Sequence, residues 1–171
     1  MYKILDRDYN NLLLSTFTYK VWIKNTLFIC LTIYYINNVL GIYHNDLCYK
    51  NDIRNIMIKK NTKNIKIKVN DYICETDTDY PVIIDFGQQN KIPLLRTLNF
   101  YINPYKKRKD YIFISEVFIV YYYSYKLFFN VKDYWDEHYD ILYDDIAKKA
   151  SNRKEFDNQI IDFLFNLLNK N

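Results

Sequence analysis

Apolar residues recur along this chain with two different periods. Between Trp22 and Leu40, the residues Leu27, Leu31, Tyr34 and Tyr35 fall at helical spacing, which predicts a helix. Gly41 follows it, where a glycine C-cap belongs. The period then changes. Ile56–Ile58 is a short strand-like run, and Ile65, Ile67 and Val69 alternate with Lys66 and Lys68, as in a half-exposed strand. Pro81–Ile84 is a third apolar run, and it stops at Asp85. Tyr111–Phe129 predicts a long, mostly buried helix. Asn152–Leu168 predicts an amphipathic one, with Phe156, Ile160, Phe163, Leu164, Leu167 and Leu168 as its stripe and Asn152 with Glu155 as a capping-box-like start.

Composition narrows the class. At 171 residues, half of them hydrophobic and 19% aromatic, the chain reads as one globular domain. A balance of 24 Lys+Arg against 20 Asp+Glu is too even for a nucleic-acid footprint. Cys30, Cys48 and Cys74 are widely spaced with no C-x-x-C, which fits reduced thiols in a cytoplasmic compartment. Met1–Asn11 is too polar for a signal peptide. Thr26–Tyr35 is too short to span a membrane, and Ser115, Glu116, Ser124 and Lys126 interrupt Tyr111–Phe129, so no membrane is expected. The tyrosines Tyr121–Tyr123 and Tyr125 read as core packing. The acidic run from Asp133 to Asp145 reads as a solvated helix face, Lys106–Lys109 as a solvated loop, and His138 as a surface residue.

The polar residues able to do chemistry gather in two loops, Tyr43-His44-Asn45-Asp46-Leu47 and Ile83-Ile84-Asp85-Phe86-Gly87. One aspartate in such a pair can orient a hydroxyl or take its proton. The other can hold Mg2+, which prefers oxygen ligands and substrate phosphates. In-line positioning and charge neutralisation are most of what phosphoryl transfer requires.

His44-Asn45-Asp46-Leu47 resembles the H-R-D-L catalytic loop of protein kinases, Asn55-Ile56-Met57-Ile58 is similar to the run that ends that loop, and Asp85-Phe86-Gly87 matches D-F-G. The form of the first motif, and an insertion at Lys59–Tyr80, resemble the serine/threonine kinases of large DNA viruses. The likeness covers about residues 22–130 and implies a mainly α fold with short β-strands. That fold is a kinase-like C-terminal lobe, with the catalytic-loop and D-F-G region at 41–90 and a helical remainder at 110–171. By this resemblance Asp46 is the catalytic aspartate and Asp85 the Mg2+ and ATP-phosphate ligand. Asn55 is favoured over Asn51 as the second metal ligand, and His44, Phe86 and Gly87 are structural members of the motifs.

Departures from the family pattern bear on function. Asn45 replaces an arginine that pairs with a phosphorylated activation loop. Cys48 stands where a lysine is common, with Lys50 an imperfect substitute, and no A-P-E follows Gly87. Asp110 is the expected match for an aspartate that buttresses the catalytic loop. The only glycines, Gly41 and Gly87, leave no G-x-G-x-x-G, so the N-terminal lobe is expected to be absent and to come from a partner chain if ATP is used. A protein substrate, and a location in the host cytoplasm or virion, follow from the same resemblance. The alternatives are a pseudokinase-like binding module or truncated remnant, and a small-molecule kinase of the same fold.

Overall fold

The computed structural model describes residues 5–8, 18–49, 52–94, 113–130 and 137–170. Its centre is helix α1, Tyr19–Asn38, capped by Thr18, whose hydroxyl accepts from the Val21 N–H at 3.4 Å. The helix is apolar on most of its circumference and is buried accordingly, from Trp22 through Asn37 with few breaks. Its polar residues bond within the helix: Asn25 Nδ2 donates to Val21 O at 3.0 Å and Thr32 Oγ1 to Phe28 O at 2.9 Å. The helix ends at Asn38, two residues earlier than the apolar pattern predicts. Gly41 then turns the chain at φ 71°, and the Ile42 N–H returns to Ile36 O at 3.1 Å.

Short antiparallel strands follow. β1 (Leu5–Asp8), β4 (Ile56–Lys59) and β7 (Tyr80–Ile83) form one three-stranded sheet in the order β1-β4-β7. Within it Ile56 faces Ile83 and Lys59 faces Tyr80. β2 (Cys48–Tyr49) and β3 (Asp52–Ile53) make a minimal pair, and β5 (Ile65–Val69) with β6 (Tyr72–Thr76) makes a hairpin. That hairpin occupies the insertion ahead of Asp85, and its two-residue loop carries Asn70 at φ 54°. Asparagine tolerates this left-handed conformation better than most residues.

Three helices complete the described chain: α2 (Glu116–Phe128), α3 (Glu137–Ala147) and α4 (Arg153–Lys170). The long helix expected from Tyr111 is shorter, because residues 113–115 are not helical and Ser115 caps α2 by accepting from the Phe118 N–H at 3.0 Å. At α4 the capping interactions are shared between neighbours. Asn152 Oδ1 accepts from the Glu155 N–H at 2.9 Å, and Glu155 reaches back to Ser151 N and Oγ at 2.8 and 2.6 Å. The buried stripe of α4 is Phe156, Ile160, Ile161 and Leu164, with Phe163 instead 37% exposed.

α1 packs against α2, α4 and β7, and this contact is the core. Aromatic rings fill it. Trp22 stacks on Phe128 at 4.9 Å, Phe118 meets Tyr143 edge-on at 5.4 Å, and Tyr143 lies 5.0 Å from Phe156. Tyr121, Tyr122 and Tyr123 are buried in this packing. No described helix is long and apolar enough to cross a membrane. The fold among the described residues is thus mixed, helices with short antiparallel strands.

Candidate functional site

The loop from Tyr43 to Leu47 leaves α1 and lies buried along its whole length. Buried main-chain N–H groups need acceptors, and one side chain supplies them. Glu116, 3% exposed at the start of α2, accepts from the His44 N–H at 2.8 Å and the Asn45 N–H at 2.9 Å. Asn37 Nδ2 adds a third bond to the same carboxylate at 3.0 Å and a bond to Ile42 O at 2.8 Å. Glu116 therefore holds the loop in the way the resemblance assigns to Asp110, which lies outside the described residues.

His44 joins the two motif loops. Its Nδ1 accepts from the Asp46 N–H at 3.2 Å, so the proton sits on Nε2, which donates to Ile84 O at 2.9 Å. The Phe86 ring meets the His44 ring edge-on at 4.7 Å. Residues on both sides of Asp85 are thereby attached to the residue two before Asp46.

Asn55 makes the second connection. Its Nδ2 donates to Asp46 O at 2.6 Å and to Asp46 Oδ2 at 3.1 Å, while its own main-chain oxygen accepts from the Ile84 N–H at 2.9 Å. The amide nitrogen is thus committed, and Oδ1 is the atom left to face a ligand. Asp85 is exposed, and its hydrogen bond is from the Gly87 N–H to Oδ1 at 3.3 Å. A Cβ on Gly87 would sit 3.2 Å from that oxygen, which explains a glycine there. Asn45, Asn55 and Asp85 all adopt positive φ, at 68°, 60° and 58°. Asparagine and aspartate enter this left-handed region more readily than other side-chain-bearing residues, and Asn70 and Asn130 adopt it outside the site as well.

A cation held here would meet a carboxylate and an amide oxygen, both hard ligands suited to Mg2+ with water and phosphate completing its shell. The residues fit that ion. No cluster of three or more His, Cys, Asp or Glu exists among the described residues to hold a metal by protein alone. Asn51 and Lys50 lie outside the described residues.

Two features of the site escape the sequence reading. Arg54 places Nη1 3.4 Å from Asp46 Oδ1, with 43% of the arginine side chain exposed against 11% for the aspartate. The β2–β3 pair delivers it there, because the Arg54 N–H closes on Leu47 O at 2.7 Å. Cys48, in the position of the expected lysine, is buried, and burial pushes its thiol well above the ordinary value. The other feature is the support from α4. Arg153 donates to Asn37 O at 2.9 Å and to the Tyr43 hydroxyl, and its guanidinium lies 4.8 Å from the Tyr43 ring centre. Asp157, fully buried, accepts from Ser115 Oγ at 2.5 Å and Asn38 Nδ2 at 2.9 Å. Burial pushes its carboxyl up to about 6, against the opposing pull of Ser115, Asn38 and Arg153. Arg153 and Asp157 are single polar residues four apart on α4, and nothing in the hydrophobic pattern marks these roles. The three cysteines are free and buried.

No protein-family model, curated protein or solved structure matches this chain.

Proposed function

We propose that this chain is a serine/threonine protein-kinase-like lobe of the type found in large DNA viruses. It transfers phosphate from Mg2+-ATP to a protein hydroxyl when a nucleotide-gripping N-terminal lobe is supplied. The observation that carries the reading is the double attachment of Asn55, by its amide to Asp46 and by its main chain to Ile84 beside Asp85. One asparagine then relates a proton acceptor to a metal ligand. A kinase-like arrangement requires that relation, and a surface loop of the same composition does not.

In this reading Asp46 accepts the proton of the substrate hydroxyl as its oxygen attacks the terminal phosphorus and the bond to the ADP oxygen breaks. Asn55 Nδ2 and Arg54 fix the two oxygens of Asp46, so the carboxylate presents one orientation to the acceptor. Asp85 and Asn55 Oδ1 are the oxygens that would hold the ion, and bound magnesium supplies charge neutralisation of the nucleotide phosphates. Arg54 adds a partly exposed cation on the Asp46 side of the site.

Thermal unfolding with and without Mg2+-ATP tests this, because a ligand that binds only the native state raises the midpoint. The reading expects a rise in the wild type and none in Asp85→Ala. A second reading, a non-catalytic docking module, is favoured by the exposure of Phe86 at 37% and Ile92 at 64% in the site's own loop. A cooperatively unfolding wild type with no response to Mg2+-ATP would mean that the motif residues do not hold nucleotide by themselves and would favour that module. No phosphoryl transfer once an N-terminal lobe is supplied would end the phosphotransferase reading.

A further inference from the structure

Residues 85–92 are all exposed, and their ring contact is the packing of Phe86, itself 37% exposed, on His44. A stretch of this kind ordinarily opens at little cost. It is nevertheless tied at several points to one buried side chain. Asn45 is 3% exposed, and its Nδ2 lies 3.2 Å from Gln88 O and 3.4 Å from Ile92 O. It also lies 3.4 Å from Tyr43 O, while Asn45 Oδ1 accepts from the Leu94 N–H at 2.9 Å. Asn45 is itself fixed, since its own N–H donates to the buried Glu116 carboxylate. Other attachments of the stretch include the Tyr43–Asn90 main-chain pair at 2.7 and 3.0 Å, the Phe86 ring on His44, and local turns such as the Gln89 N–H to Phe86 O at 3.1 Å and the Ile92 N–H to Asn90 Oδ1 at 3.4 Å.

The chemistry of these bonds is specific. An amide is neutral, and it presents a donor and an acceptor in one plane. All its partners over 88–94 are main-chain groups, so the attachment is indifferent to which side chains that stretch carries. It needs no charge on the stretch, and salt does not screen it as it screens an ion pair.

We propose that Asn45 is a positioning residue that fixes residues 88–94, and through them Asp85-Phe86-Gly87, by neutral bonds to the main chain of Gln88, Ile92 and Leu94. The segment is then set without a negative group being added to it. The catalytic consequence, a site assembled independently of phosphorylation, rests on the phosphotransferase reading.

Amide hydrogen exchange on phosphatase-treated protein tests it without reference to activity. In the wild type the Leu94 amide is protected. In Asn45→Ala its protection falls about tenfold or more, while the helical amides of Ile119 and Phe156 keep theirs. Asn45→Asp supplies a readout that a purely structural role would not move. Its ionised carboxylate faces the carbonyls of Tyr43, Gln88 and Ile92, close to Glu116, whereas its protonated form can donate. The carboxylate keeps the acceptor for the Leu94 N–H but repels the carbonyls beside it, so Leu94 protection in Asn45→Asp rises as the pH falls through a titration that these carbonyls and Glu116 set above the ordinary carboxylate value. An unprotected Leu94 in the treated wild type would overturn the proposal. So would a Leu94 indifferent to both substitutions, or one lost together with the helical amides. The two readings fail separately. Absence of phosphoryl transfer once an N-terminal lobe is supplied removes the phosphotransferase, and absence of Leu94 dependence on Asn45 removes the clamp.

Discussion

The helical core and the Tyr43–Leu47 loop are both buried beside α1, yet they are held by opposite means. In the core, Phe118, Tyr143 and Phe156 meet through ring surfaces that many apolar shapes would fill. In the loops, Glu116, Asn45 and Asn55 hold main-chain groups through single atoms, at backbone angles that few residues adopt. The first kind of region tolerates conservative exchange and loses stability with volume. The second loses stability with any change of donor or acceptor, even at constant volume, because a buried polar group without a partner costs its full desolvation.

The sharpest way to break this comparison is at Glu116. Alanine there strands the N–H groups of His44 and Asn45 and the amide of Asn37, and should destabilise the chain by about 5 kcal/mol in urea unfolding. Glutamine, nearly the same volume, should still cost about half of that. Phe156→Ala should cost about 4 kcal/mol by the same measurement, but Phe156→Leu only about 1 kcal/mol. If the glutamine change proves as mild as the leucine change, the contrast between the regions fails.

Asp157 sits where the two regions meet, and its effect should appear as a pH dependence. Its folded value of about 6 lies above the ordinary 3.8, so the native state holds the proton more tightly than the unfolded chain. Its contribution is fully present below about pH 4 and is lost as the pH rises through about 6, a change of about 3 kcal/mol. The thermal midpoint of the wild type should therefore fall more steeply between pH 4 and 7 than that of Asp157→Asn. Equal slopes would show that the group does not titrate there.

Smaller effects sharpen the loop side. Asn55→Ala should cost about 2 kcal/mol, combining the loss of its bonds to Asp46 with alanine's dislike of positive φ. Asp85→Ala, exposed but also at positive φ, should cost about 1 kcal/mol while abolishing the response to Mg2+-ATP. A large stability loss at Asp85 would mean that the residue is structural.

What could be read from the sequence follows the same division. α1, β5 and the α4 stripe announce themselves because burial there repeats with a period. β6 does not, since its inward residues are Cys74 and Thr76 while Ile73 is 43% exposed, which reverses the expected contrast. β2 and β3 are too short for any period. Among the site residues, His44, Asp46 and Asp85 stand out through the motifs they resemble, and Asn55 through the apolar strand that follows it. Glu116 reads instead as a charge interrupting an apolar run. The usable signal was chemical: an acid inside a run that must be buried needs donors, and the nearby buried loop needs acceptors. Arg54 depends on the closure of a two-residue strand pair, which a sequence pattern does not express.

Glu116 also has a consequence for the order in which the molecule is made. Its bonds to the loop span 71 to 79 residues of chain. Contacts so distant in sequence form late, after the intervening chain has been confined. On a ribosome adding about 5–20 residues each second, the His44 loop emerges about 4–14 seconds before the carboxylate that orders it, given their separation of 72 residues. During that interval α1 is a newly made apolar helix without α2 or α4 to cover it, and the nascent chain is most exposed to aggregation and to chaperones.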